Sequence, residues 1–153
     1  MIQQKLLCIN GRVVYDYHES IRLFNHFRAG KDYQLTLLPT GKFILEEISG
    51  KEERICKVTG KRLVSGGKVQ LNLHDGTSIL GSKEVGTGDS VYLDSAGKVK
   101  HHVALEKGKK VFIISGKHKG QKGAVSELLP GKAKIKFEEG SALLDKNALM
   151  VLR

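Results

Sequence analysis

The feature that most constrains this chain is the regular interruption of short apolar runs by turn-forming residues. The runs alternate with turns about every eight to twelve residues, a spacing typical of all-β sandwiches and barrels. The chain has 18 glycines and only 2 prolines, so glycine supplies most of its turns and the strand segments are nearly free of proline. The sequence therefore predicts a mainly β fold.

Specific hairpins can be placed. Residues 6–9 and 12–15 flank Asn10-Gly11, the strongest short hairpin signal, because both turn residues tolerate a positive φ. Residues 34–38 pair with 43–48, residues 91–93 pair with 98–100, and further strands are expected at 110–114, 123–128, 133–137 and 149–152. Helical periodicity is weak, and only residues 19–27 and 142–148 are predicted to form a turn or two of helix.

The 153 residues suffice for one domain or for two or three small modules. We place the seams between units near residues 49–51 and 106–108, which predicts three units at 1–48, 49–106 and 107–153. No apolar run approaches the roughly 20 residues of a membrane span, and no secretion signal opens the chain. We therefore expect a cytoplasmic protein with no membrane partner, and Cys8 and Cys56 as buried thiols.

Charge is distributed unevenly. The net charge is +10, with +1 in residues 1–50, +3 in residues 51–100 and +6 in residues 101–153. A basic excess suits a polyanionic partner, and a gradient toward one end favours a localised binding surface over a uniformly solvated one.

The most informative segment is the basic loop, residues 108–125. Glycines at 116, 120 and 123 let the backbone approach a ligand closely, and lysines beside them can reach phosphate groups. The Gly-Lys-Ser/Thr ending of a P-loop is absent. The predicted phosphate-binding residues are Lys109, Lys110, Lys117, Lys119 and Lys122, with His118 adding a hydrogen bond and Lys132 and Lys134 flanking.

This segment resembles the KOW motif of several ribosomal proteins and transcription elongation factors. Gly123 stands where the motif requires glycine, and Val111 and Val125 stand at its flanking core positions. The resemblance implies a small five-stranded barrel of the Src-homology-three type that binds nucleic acid. The alternative is a solvated hairpin loop.

Similarity extends beyond the loop. Residues 5–13 resemble the last hairpin of an S4-type RNA-binding module, and residues 54–58, 73–79 and 88–91 follow in a familiar order. Together with the KOW segment they resemble the archaeal and eukaryotic small-subunit ribosomal protein four family (e-type). That resemblance implies an S4-type remnant with the first β-hairpins in residues 1–48, a central β domain in 49–106 and a KOW barrel in 107–153.

The same resemblance implies binding to ribosomal RNA, neighbouring small-subunit proteins as partners, and a ribosome-bound location in the cytoplasm. The helical part of the S4-type module and the family's basic C-terminal tail are expected to be missing. Lys5 and Arg12 then remain as the N-terminal RNA contacts. A reduced family member, a truncated gene model and a fragment all stay open.

No catalytic or metal-binding constellation is predicted. His74-Asp75 is explained by a turn at Asp75-Gly76. His101 and His102 are expected to diverge on a strand, and no third ligand lies at zinc spacing. We therefore expect no enzymatic activity, no metal, no cofactor and no small-molecule substrate.

Four aromatic residues could stack on bases. Phe112 and Phe137 are expected to be core residues, whereas base stacking and packing remain equally open for Tyr15 and Tyr17. The sequence thus predicts a structural, RNA-binding component of the small ribosomal subunit. The alternatives are a KOW-type transcription or translation factor that binds RNA transiently, and a protein–protein adaptor.

Overall fold

A computed structural model describes residues 6–49 and 53–153. It contains fifteen strands and two short 3-10 turns in these ranges, so the mainly β prediction is confirmed. The strands are β1 (Leu7–Ile9), β2 (Arg12–Val13), β3 (His26–Ala29), β4 (Lys31–Leu37), β5 (Phe43–Glu47), β6 (Arg54–Val64), β7 (Lys68–Leu73), β8 (Ser78–Gly81), β9 (Ser90–Leu93), β10 (Val99–Val103), β11 (Lys110–Ile113), β12 (Lys122–Leu129), β13 (Lys132–Phe137), β14 (Gly140–Asp145) and β15 (Leu149–Val151).

The first sheet has the strand order β2-β1-β3-β4-β5 and is antiparallel throughout. Its opening hairpin turns at Asn10 and Gly11, whose φ values of 50° and 81° match the expected turn. The hairpin remnant predicted at the start of the chain is thus extended by three more strands into a complete five-stranded sheet.

The central sheet has the order β10-β9-β6-β7-β8. Strand β6 pairs with two neighbours: its first residues pair with β9, and its later residues pair with β7. The register of the pairing with β7 shifts between Val58 and Gly60. Such a bulge bends the strand and increases its local twist. The core beneath this sheet is aliphatic and includes the fully buried residues Val58, Leu71, Val91 and Leu93.

The third sheet has the order β14-β13-β12-β11-β15. Five antiparallel strands enclose a separate core that includes Val111, Val125, Ile135 and Val151. Val111 and Val125 occupy the core positions that the motif resemblance assigned to them.

A third apolar cluster lies where the three sheets meet. It contains Phe24 and Leu37 from the first sheet region, Ile55 from β6, and Phe112 and Met150 from the third sheet. The rings of Phe24 and Phe112 pack edge to face with centroids 5.4 Å apart. This shared cluster holds the first and central sheets against the third.

Two local predictions are wrong or incomplete. Residues 19–27 contain no helix; they form an irregular segment with a turn at Leu23-Phe24 and then enter β3. In residues 142–148, strand β14 continues to Asp145, and only Lys146–Ala148 form a 3-10 turn. Within the described ranges, no helix is long and apolar enough to cross a membrane.

Candidate RNA-binding interface

The lysines of β13 lie on the outer face of the third sheet because residues alternate faces along a strand. Lys132, Lys134 and Lys136 are exposed, whereas Ala133 and Ile135 between them are fully buried. Lys136 was missed by the sequence analysis, although its spacing of two from Lys134 was the signal that could have identified it.

The pairing of β12 with both β11 and β13 aligns Lys110 of β11 with the row of lysines on β13. Ala124 of β12 pairs with Lys110 on one side and with Lys136 on the other. Both lysines are exposed and lie on the face opposite to Val111 and Ile135. The outer face of the sheet therefore presents cations from β11 and β13 in one line across the strands.

The basic loop connects β11 to β12. Within it, Gly120 N donates to Ile113 O at 2.7 Å and Ile113 N donates to Gln121 O at 3.0 Å, which closes the loop at its base. Lys117, Lys119 and Lys122 are exposed around this closed base. Lys109 is exposed where the chain enters β11.

The loop is braced against the first sheet. A Cβ atom at Gly120 (φ 88°) would overlap the Leu38 carbonyl, and one at Gly41 would lie 2.8 Å from Lys119 Cε. The backbone of Gly120 therefore rests on the β4–β5 turn, and the aliphatic part of Lys119 covers Gly41. Contact at both points fixes the loop's position.

Gly123 meets a different requirement. A Cβ atom there would lie 2.5 Å from Ile135 Cγ2 and 2.9 Å from Lys136 O. Only glycine lets β12 approach β13 this closely, which is the physical reason for glycine at this position of the motif.

His118 is half-buried and its ring stacks on Phe137, with centroids 5.1 Å apart and planes 20° from parallel. Its Nδ1 lies 3.3 Å from Gln121 Oε1. Stacking orients the ring, and Phe137 itself packs against the third core, as expected of a core aromatic.

None of the lysines predicted to bind phosphate within the described ranges has a carboxylate within 4.0 Å; the set is Lys109, Lys110, Lys117, Lys119, Lys122, Lys132 and Lys134. Glu138 and Glu139, which follow β13 directly, form no ion pair with them. These ammonium groups are exposed and available to a ligand.

The N-terminal candidates differ. Arg12 is exposed but forms an ion pair with Glu19. Lys5 lies outside the described residues. Tyr15 and Tyr17 are 69% and 77% exposed, and the Tyr17 ring packs on His18 with centroids 4.3 Å apart. Exposure places both tyrosines outside the core.

His74 and Asp75 form a structural junction, in agreement with the turn that the sequence predicted. Asp75 accepts from Thr77 N at 3.0 Å and from Thr77 Oγ1 at 2.6 Å, and it pairs with Arg54. Burial alone would raise the pKa of Asp75, but the Thr77 hydrogen bonds and the Arg54 charge outweigh burial and lower it. Asn25 Nδ2 also donates to Asp75, which ties the first sheet to the central one.

The neighbouring histidines at 101 and 102 diverge as expected. His102 Nε2 lies 2.7 Å from Asp89 Oδ2, whereas His101 Nε2 lies 3.5 Å from Glu53 Oε1. Across the part of the chain that the structure describes, no three His, Cys, Asp or Glu side chains are grouped to hold a metal ion. Cys56 is buried, and burial raises its thiol pKa to about 12.

The sheets and the exposed lysine loop together define an all-β protein of the KOW-bearing class. Residues 107–138 match the model of the KOW motif, and residues 29–100 match the model of ribosomal family S4e. The chain therefore belongs to ribosomal family S4e, a family of ribosomal proteins, which in general are not enzymes.

Curated relatives agree with this assignment. The chain is 32% identical over 132 residues to the small ribosomal subunit protein eS4 of Methanocella arvoryzae, covering 84% of this chain and 56% of the relative. It is 37% identical over 123 residues to the eS4 protein of Archaeoglobus fulgidus, covering 78% and 52%. The chain thus spans about half the length of the curated relatives it matches.

A solved structure has the same fold. The crystal structure of the 30S ribosomal protein S4e from Thermoplasma acidophilum aligns with a TM-score of 0.82 at 22% identity, covering 99% of this chain and 82% of that one. At this identity the likeness concerns the fold alone.

Proposed function

We propose that this chain is a structural component of the small ribosomal subunit that binds ribosomal RNA through its third sheet. The observation that carries the proposal is the set of exposed lysines on the basic loop and on β13, none of them paired with a carboxylate in the described ranges. Family membership supports the small subunit as the place of binding.

The mechanism is electrostatic. Each lysine that neutralises a phosphate releases condensed counterions, so five contacts give a slope of roughly −3.5 to −4.5 in log K against log salt. Because Lys119 and Gly120 brace the loop, little conformational entropy is lost on binding. The protein recognises the shape of folded RNA more than its sequence, and His118 adds one oriented hydrogen-bonding group beside the lysines.

The test replaces Lys117, Lys119 and Lys122 together by Gln, which removes the charges and keeps a polar side chain with the first two methylenes. Affinity for small-subunit ribosomal RNA is measured by filter binding over a range of salt concentrations. We expect the magnitude of the log–log slope to fall by about 2 to 3, because three phosphate contacts are lost.

The matched control replaces Lys68, Lys83 and Lys98 by Gln. These lysines are exposed in the central sheet region, and the control changes the net charge by the same amount. If both triple variants reduced the slope equally, binding would follow net charge and the assignment to the basic loop would be wrong. An unchanged slope in the loop variant would instead favour a protein–protein adaptor.

We further propose that the protein is cytoplasmic and ribosome-bound, that it contacts neighbouring small-subunit proteins, and that it catalyses no reaction. Three units at 1–48, 49–106 and 107–153 would each contain one sheet. Co-sedimentation with small subunits in high salt separates a structural component from a transcription or translation factor, since only a component stays bound.

A further inference from the structure

Strand β5 is exposed along its whole length. All five of its residues are exposed, and Phe43, Ile44 and Leu45 are 62%, 40% and 44% accessible. Single exposed apolar residues are common, but three in succession on the edge strand of a sheet indicate a surface that another chain covers.

The backbone of β5 has one unpaired edge. Leu38 N donates to Lys42 O and Ile48 N donates to Asp32 O, both at 2.9 Å, so the even-numbered residues of this strand face β4. The N–H and C=O groups of Phe43, Leu45 and Glu47 therefore point away from the sheet. No backbone partner reaches them from residues 6–49 or 53–153. An added strand would satisfy them.

A cleft of about 550 Å³ lies between the first sheet and the third sheet, and β5 contributes Glu46 to its lining. Glu46, Glu138 and Glu139 line it together with Leu37, Phe112 and Phe137. None of the three carboxylates forms an ion pair with a described residue. Lys122 is the single cation in the lining, so this part of a strongly basic protein is locally acidic.

We propose that β5 binds an extended, lysine- or arginine-bearing segment of another protein as an added strand. Ile44 and Glu46 share one face of β5, and Phe43 and Leu45 share the other. A segment that alternates basic and apolar residues would place its cations near Glu46 and its apolar side chains over Phe43 and Leu45. The three carboxylates favour a cationic segment over RNA, although the cleft borders the RNA-binding lysines at Lys122.

The first test uses a fluorescein-labelled heptapeptide of alternating lysine and valine, titrated with the full chain and followed by fluorescence anisotropy. We expect saturable binding that Glu46→Lys combined with Glu139→Lys weakens about tenfold, because two attractions become repulsions. Glu84→Lys combined with Glu127→Lys changes the net charge equally at exposed sites away from the cleft, and should leave the affinity within about twofold.

The second test is amide hydrogen exchange by NMR with and without the peptide. Strand addition should slow exchange at Phe43, Leu45 and Glu47 and leave Ile44 and Glu46 unchanged, since the latter already bond to β4. Circular dichroism of each charge variant establishes that it is folded before its affinity is interpreted.

The proposal is overturned by any of four results. The peptide fails to bind saturably, or it binds the charge-reversed cleft with equal affinity. Alternatively, exchange at Phe43, Leu45 and Glu47 slows with protein concentration in the absence of peptide, which identifies a second copy as the occupant. Finally, an RNA oligonucleotide could protect the same three amides. None of these results depends on Lys117 or Lys119, so failure here is distinguishable from failure of RNA binding.

Discussion

Two glycines of the basic loop have similar backbones and different surroundings. Gly116 and Gly120 have φ values of 84° and 88°, a region that side chains occupy only with strain. Nothing lies within 4 Å of a Cβ atom built at Gly116, whereas one at Gly120 would overlap the Leu38 carbonyl. A substitution at Gly116 therefore introduces backbone strain alone, whereas one at Gly120 introduces backbone strain and steric overlap.

We expect Gly116→Ala to lower the free energy of unfolding by about 1–2 kcal/mol through strain alone. Gly120→Ala should cost about 1–3 kcal/mol more, because the loop must also move away from the β4–β5 turn. Urea denaturation of both variants measures the difference. Equal losses would mean that the loop does not rest on that turn.

His74 should make stability depend on pH. Its Nε2 lies 2.8 Å from Leu23 O and its Nδ1 accepts from Lys57 N at 3.2 Å, an arrangement that fits the neutral ring. Burial lowers the pKa of His74 below 6.5. Just below pH 6.5, His74 is therefore protonated more in the unfolded chain than in the folded chain. Stability from this source is fully present above pH 6.5 and is lost progressively as the pH falls below it.

The corresponding measurement is the free energy of unfolding at pH 7 and pH 5 for the wild type, His74→Gln and His18→Gln. His74→Gln should lose less stability over this interval than the wild type, and His18→Gln, at an exposed position, should match the wild type. Parallel pH profiles for all three would contradict the assignment.

Some of the site was accessible from residue patterns and some was not. The loop lysines were predicted as candidates, and Gly123 as a required glycine, because the motif fixes their spacing; the structure shows the lysines exposed and Gly123 in close approach to β13. The brace of Lys119 on Gly41, the ion pair of Arg12 with Glu19 and the stacking of His118 on Phe137 depend on tertiary contacts. No local pattern encodes such contacts.

Between elements, Lys57 of β6 joins the central sheet to the third. Its side chain is 3% exposed, and Nζ donates to Lys146 O at 2.6 Å and to Asn147 O at 2.8 Å, at the turn between β14 and β15. Burial lowers the pKa of Lys57 to about 8, although the nearby charge of Asp145 raises it in part. No local pattern indicates that this lysine is buried.

The lowered pKa of Lys57 predicts a second pH dependence, in the same direction as that of His74 but at higher pH. Between pH 8 and 10.5 the unfolded chain holds a proton that the folded chain has released, so folding becomes more favourable as the pH rises. From pH 7.5 to 9.5 the wild type should gain about 1–2 kcal/mol relative to Lys57→Met, measured by urea denaturation. Lys68→Met, at an exposed lysine, is the control. A constant difference between wild type and Lys57→Met would refute the linkage.

At the same scale, hairpins with glycine-bearing turns were predicted well because the turn chemistry is local. Strand β14 was missed because its buried positions alternate weakly and only Ala142 and Leu144 are half-buried. The helix expected in residues 19–27 does not form, since Phe24 adopts a φ of 61° and packs into the cluster shared by the three sheets. Tertiary packing outweighs a short helical pattern.

For the whole molecule, the shared cluster should make unfolding cooperative. Phe24, Leu37, Ile55, Phe112 and Met150 come from all three sheet regions, so no sheet can unfold without exposing the apolar surface of another. We expect a single calorimetric transition whose calorimetric and van't Hoff enthalpies agree.

Met150→Ala tests this coupling. Met150 is fully buried, so its truncation should cost about 2–5 kcal/mol and separate the transition into two. Leu143→Ala, at a 52% exposed position of the same sheet, should cost less than about 1 kcal/mol and leave one transition. Several transitions in the unaltered protein would contradict cooperative unfolding. Sequence patterns predicted the sheets but not the cluster, because its members lie far apart along the chain.

Strand β11 pairs with β15, and Val111 lies opposite Val151. Every residue of the basic loop and of strands β12 to β14 is therefore synthesised before β11 gains its second neighbour. A nascent chain emerging residue by residue leaves one side of β11 open until then, and the third sheet closes only after β15 has emerged. Premature pairing of that open side with another nascent chain is the misfolding route that this connectivity creates.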